Sequence, residues 1–139
     1  MIILRANRAN RALAIKDVSV AFLQSRRYPD GMVKYISFKH PQTGVWHYFK
    51  QTGPIYGEPS GPVRWECTVT DWLQQIGFTR GSNEPCGFHH QVRDLVELLH
   101  VDDNLADGDQ ADIDWLNAQY DKRFKCKEVE LLTPETPLD

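Results

Sequence analysis

The chain has 139 residues, 41% of them hydrophobic and 25% charged, with 16 basic against 19 acidic side chains and a formal net charge of −3. That is the length of one domain and the composition of an ordinary folded protein rather than a disordered or fibrous one. So small a net charge does not announce a nucleic-acid partner, no apolar run approaches the ~18 residues a membrane helix needs, and the few apolar residues ahead of Arg5 do not make a signal peptide. Three widely spaced cysteines, Cys67, Cys86 and Cys126, argue for reduced thiols and an intracellular protein, cytoplasmic or nuclear, rather than a disulfide framework.

Residues 1–11 read as a basic segment in which Arg5, Arg8 and Arg11 recur every three positions, the spacing of one side of a helix or of a frayed terminus. Residues 12–20 read as a strand ending near Asp17. Residues 33–40 and 45–51 are aromatic and β-branched runs around the turn sequence ProGlnThrGly, which predicts a β-hairpin. Its aromatics Tyr35, Phe38, Trp46 and Tyr48 are expected to pack into a core rather than to form an exposed base-stacking face. Residues 53–62 hold three glycines and three prolines and read as a rigid loop. Trp65, Val69, Trp72, Leu73 and Ile76 then lie on one face of a helix, with Pro62 in its first turn and Gly77 at its stop.

Residues 86–92 and 94–101 read as paired strands. Asp102 and Asp103 follow at a tight turn, and a return strand begins at Leu105. Residues 109–123 read as a second helix with Asp109 as N-cap, residues 124–132 as a last strand, and residues 133–139 as an extended tail. One domain over 12–132 results, of α+β class: an antiparallel sheet with two helices packed on one face. Charge is uneven along it. Residues 1–27 hold six basic side chains and one acid, whereas residues 84–139 hold five basic and fourteen acidic. Such a gradient can steer a polyanion to one end and a cation to the other.

Three carboxylates stand out. Asp102 and Asp103 follow the largely apolar run LeuValGluLeuLeuHisVal, and Asp17 also ends a strand-like run. If those strands are neighbours, the acids converge at one sheet edge, where like charges are costly unless a cation lies between them. Mg²⁺ with oxygen ligands suits that edge, and two such ions are the usual device of nucleotidyl transfer. A calcium loop counted from Asp103 fails at Leu105, where an oxygen ligand is needed. Cys86, His89 and His90 have no second pair at zinc spacing.

The segments AspValSerValAlaPheLeuGln (17–24), TyrGlyGluProSerGlyProValArgTrp (56–65), the stretch from Gly77 to Cys86, and LeuHisValAspAsp (99–103) resemble, in order and spacing, the reverse transcriptase of copia-type retrotransposons. The resemblance covers residues 12 to 130. It implies a polymerase palm and RNA-directed DNA polymerase activity. By that resemblance Asp17, Asp102 and Asp103 bind two Mg²⁺ ions (Mn²⁺ as an alternative), with Asp102 a direct ligand. Phe22 is the aromatic gate beside the sugar 2′-position, Tyr56 and Gly57 lie against the incoming nucleotide, and His100 lies near the primer end. Pro62 and Trp65 match the end of the second motif, where Trp65 serves packing.

The implied partners are an RNA or DNA template with primer and deoxynucleoside triphosphates, together with the fingers, thumb and RNase H portions of a Pol polyprotein. The implied setting is the cytoplasm or a virus-like particle. The sequence departs from the family where His100 replaces Tyr, where Glu58 sits in a loop that is to receive a triphosphate, and where Val63 replaces Arg. A chain without fingers is expected to polymerise poorly, and the rival reading is a non-catalytic remnant that binds nucleic acid or protein.

Overall fold

The structure is a computed structural model that describes residues 11–29 and 31–132. The basic run with Arg5 and Arg8 and the tail from residue 133 lie outside the described residues.

Strand β1 (Arg11–Asp17) leads through a single 3₁₀ turn (Ala21–Gln24) to the hairpin β2 (Lys34–Lys39) and β3 (Trp46–Gln51). Helix α1 (Gly61–Gln75) follows, then β4 (Phe78–Arg80), β5 (Gly87–His90), β6 (Val96–His100) and β7 (Asp103–Asp109), helix α2 (Gln110–Arg123) and β8 (Glu130–Leu132). Six strands form one sheet in the order β4-β5-β6-β7-β1-β8, and β2-β3 form a separate two-stranded sheet. Every strand pairing is antiparallel. The class is α+β, as the sequence predicts. Among the described residues no helix is long and apolar enough to cross a membrane.

Period-two alternation sorts the main sheet into two faces. One face presents Ala14 from β1, Leu99 from β6 and Ala106 from β7, with Val18 just after β1 and Leu95 just ahead of β6. These bury against Trp65, Val69, Trp72 and Leu73 of α1 and Ile113, Leu116 and Tyr120 of α2. Rings join the two helices: Trp72 meets Tyr120 at 4.6 Å and Phe124 at 5.1 Å, both edge-on, the geometry aromatic quadrupoles favour. Helix α1 stops where expected, since Gly77 takes φ +102 and a Cβ there would lie 2.8 Å from His90 Nε2. Within this core Glu97 is wholly buried and accepts a hydrogen bond from the Tyr120 hydroxyl. Burial pushes the Glu97 carboxyl up to about 8, against the lowering pull of Tyr120.

Four expectations are corrected. The hairpin does not join the main sheet: β2 and β3 pair with each other in a separate two-stranded sheet. Its aromatics do not enter a core: Tyr35 is 68% exposed, Phe38 47%, Trp46 53% and Tyr48 70%. A short strand, β4, directly follows Gly77 and pairs with β5; three residues carry no readable alternation. The last strand shortens to Glu130–Leu132, because Cys126 makes only an isolated bridge with Val18.

Candidate functional site

On the sheet face away from the helices, register aligns side chains into rows. Asp17 of β1 pairs with Asp103 of β7, and Asp103 pairs with His100 of β6, so these three form one row across adjacent strands. The next row inward is Ile15, Leu105 and Leu98. All of these but Asp17, together with Asn104, line an open hollow of about 390 Å³, with apolar Ile15, Leu98 and Leu105 as its floor and Asp103 and His100 at its rim. At the opposite end of this face the Arg11 guanidinium donates to both carboxylate oxygens of Asp107, at 2.9 and 3.0 Å, and to Asp94 at 2.5 Å.

The turn joining β6 to β7 is Val101–Asp102. Asp103 therefore belongs to the strand rather than to the turn where the sequence places it. Val101 adopts φ +55, a conformation that two-residue hairpin turns require and that a β-branched residue adopts only under constraint. Two hydrogen bonds supply that constraint. The Trp65 indole N–H donates to the Val101 carbonyl, and Val18 N–H donates to the Asp102 carbonyl at 2.8 Å. The second bond draws Asp102 to the end of β1 beside Asp17. The backbone positions of all three predicted acids thus lie at one end of the β1 and β6–β7 strands.

The segment after α2 closes that edge. Lys127 N–H donates to the Asp17 carbonyl at 3.0 Å, and the Gln24 side chain bonds Ser19 O at 2.6 Å and both backbone groups of Lys125, at 2.9 and 2.7 Å. This clamp brings the Lys127 ammonium 2.8 Å from Asp17 Oδ2. The ammonium is held above its usual range, first by the hydrogen bond to Asp17 and that carboxylate's charge, then by Asp102 and Asp103. Sequence reasoning missed Lys127, which is one of several lysines in residues 122–127. It also assigned Trp65 to packing alone.

As the side chains stand, the described residues contain no group of three or more His, Cys, Asp or Glu arranged to hold a metal. The donor chemistry nevertheless suits a hard divalent cation, being carboxylate oxygens, and Lys127 is a cation paired with Asp17 and within the field of Asp102 and Asp103. The Lys127 side chain is 68% exposed and free of packing that would stop it from swinging away.

Of the remaining predicted residues, Phe22 in the 3₁₀ turn meets Tyr56 in the loop ahead of α1. The Phe22 ring, half-buried, lies 4.8 Å from the Tyr56 ring, and it rests over Gly61, where a Cβ would stand 3.3 Å from Phe22 Cδ2. Gly57 has φ +86 with open space around it, so its role is the turn that presents Tyr56, which is 54% exposed. Glu58 does not face Tyr56. It is tied to Lys34, Tyr28 Oη (2.5 Å) and Gln51 Nε2 (2.7 Å), and these donors, Lys34 first, pull its carboxyl down to about 2. The acid that looked hostile to a triphosphate is therefore consumed in tying the loop to the hairpin. His100 borders a second cleft of about 200 Å³, shared with Pro62, Trp65, Arg80 and Cys86.

No protein-family model matches this chain, and a comparison with curated proteins gave no match.

Proposed function

We propose that the chain is a polymerase-palm domain of reverse-transcriptase type, whose site at the β1 and β6–β7 edge serves nucleotidyl transfer from a deoxynucleoside triphosphate to a primer 3′-hydroxyl. The observation that carries this reading is the register: Asp17 stands opposite Asp103 while Val18 N–H holds the Asp102 carbonyl. Asp17, Asp102 and Asp103 would hold Mg²⁺ or Mn²⁺, which when bound supplies charge neutralisation and activation of the attacking oxygen. The chain's own residues do the rest. Trp65 and Val18 fix the turn that carries Asp102, Phe22 and Tyr56 offer an aromatic wall for base and sugar, and the Ile15, Leu98 and Leu105 floor with His100 gives a primer end an apolar seat. Lys127 neutralises the acids until a cation replaces it.

One feature favours the second reading, a non-catalytic remnant: the Asp17 carboxylate is already engaged by Lys127. Two measurements on the same preparations separate the readings. Mn²⁺ binding, followed by electron paramagnetic resonance, is expected in the wild type and lost in Asp17→Asn and Asp102→Asn. Lys127→Met is expected to tighten it roughly threefold by removing an exposed competitor. Primer extension on an RNA template, with a fingers segment supplied in trans, is expected to follow the same order of loss. Metal binding without any extension would establish the remnant; extension unchanged by Asp102→Asn would overturn the site.

A further inference from the structure

The β2–β3 hairpin carries two chemically different faces. Its register pairs Tyr35 with Lys50, Ser37 with Tyr48 and Lys39 with Trp46, which places these six side chains on one face. The other face carries Ile36 opposite Phe49 and Phe38 opposite His47. There Phe38 stacks on His47 at 5.1 Å and on Phe49 at 5.8 Å, and Phe38 and Phe49 are a little under half exposed. On the first face, among the described residues, no ring contact joins Tyr35, Trp46 or Tyr48 to anything, and all three are more than half exposed. Lys39 and Lys50 are exposed beside them.

Charge decides what can cover that face. Residues 31–57 contain three lysines and no Asp or Glu, the flanking acids being Asp30 and Glu58. A protein partner would have to desolvate Lys39 and Lys50 between the rings. A single-stranded nucleic acid needs what is there: flat apolar rings for bases, which stack without regard to sequence, and ammonium groups for phosphates. The hairpin is also braced rather than loose, since Lys34 at its base is bound to Glu58 and Gln51 bonds Glu58 and the Gly53 carbonyl. We propose that the Tyr35–Trp46–Tyr48 face, with Lys39 and Lys50, is a stacking platform for single-stranded nucleic acid. It is separate from the carboxylate site and does not depend on a polymerase reading.

The test is fluorescence anisotropy of labelled oligo-dT and oligo-U on the full chain in EDTA, with a duplex of equal length as control. Both single strands are expected to bind and the duplex to bind more weakly. Tyr35→Ala, Trp46→Ala and Tyr48→Ala are each expected to weaken binding roughly five- to a hundredfold, while Tyr48→Phe keeps it and so guards against a folding artefact. Each of Lys39→Gln and Lys50→Gln should lower the salt dependence by about one counterion. Phe49→Ala, on the opposite face, should leave binding within twofold. Binding that requires a divalent ion, that prefers the duplex, or that falls equally with Phe49→Ala would overturn the proposal, as would no binding of either strand.

Discussion

At the scale of single residues, the site edge depends on side chains whose roles lie outside their types. Trp65 is a core residue by any periodicity argument, and its ring does pack edge-on against Phe124 at 5.2 Å. Its indole N–H also reaches Val101 and holds a valine at φ +55, a conformation that costs of order 1–3 kcal/mol and persists only when its surroundings impose it. Trp65→Phe keeps the ring and removes the donor. The expected outcome is a stability loss of about 1 kcal/mol, with faster amide exchange at Asp102 and Asp103 than at Phe88, which is remote in the sheet. Uniformly faster exchange would mean that the indole serves the core and not the turn. The same logic separates Phe22 from an ordinary core phenylalanine. Gly61 leaves room beneath its ring and Tyr56 covers its flank, so the position is shaped by neighbours that hydrophobicity alone does not reveal.

At the scale of elements, what was readable follows from where the information resides. Helix α1 announces itself because one stripe of Trp65, Val69, Trp72 and Leu73 must be buried, and Gly77 must end it. Strands β1, β6 and β7 were legible as runs, and the pairing of Asp17 with Asp103 follows from those runs being neighbours. Nothing in the runs specifies the order β6-β7-β1, which depends on long-range pairing. Strand β4 is too short to show alternation, and Lys127 is brought to Asp17 by the Gln24 clamp, a contact across 101 to 110 positions of sequence. The hairpin was correctly read as a hairpin and wrongly buried, since aromatic content signals a strand without saying what covers it. Its separateness makes a prediction. Replacing residues 34–51 with a short Gly-Ser linker should leave one cooperative unfolding transition, with Tm lower by roughly 2–6 °C from the lost Lys34 and Gln51 bonds to Glu58. Loss of the near-ultraviolet signal of Trp65 and Trp72 in that variant would show instead that the hairpin supports the main core.

At the scale of the whole molecule, two carboxyl groups displaced in opposite directions shape stability against pH. Glu58, pulled down to about 2 by Lys34, Tyr28 and Gln51, favours the fold above its ordinary range near 4.5 and loses that effect as pH falls toward 2. Glu97, pushed up to about 8 by burial, works the other way. Its neutral form suits the core, so its contribution is complete below about pH 4.5 and drains away as pH rises through 8, where the fold must either bury a charge or open. Each unit of pH across that window removes about 1.4 kcal/mol, a total of order a few kcal/mol and a large share of what a domain of this size has. The fold is thus expected to be most stable near pH 4.5–5 and to weaken through neutrality. Glu97→Gln removes the titration and keeps an amide oxygen for the Tyr120 hydroxyl. Urea midpoints at pH 5.5 and 8.5 should fall clearly in the wild type and stay level in the variant. Tyr120→Phe, which removes the hydroxyl that lowers the Glu97 carboxyl, should move the decline to higher pH while lowering stability at every pH. A wild-type midpoint that is flat between pH 5.5 and 8.5 would mean that Glu97 reaches water and ionises without opening the core.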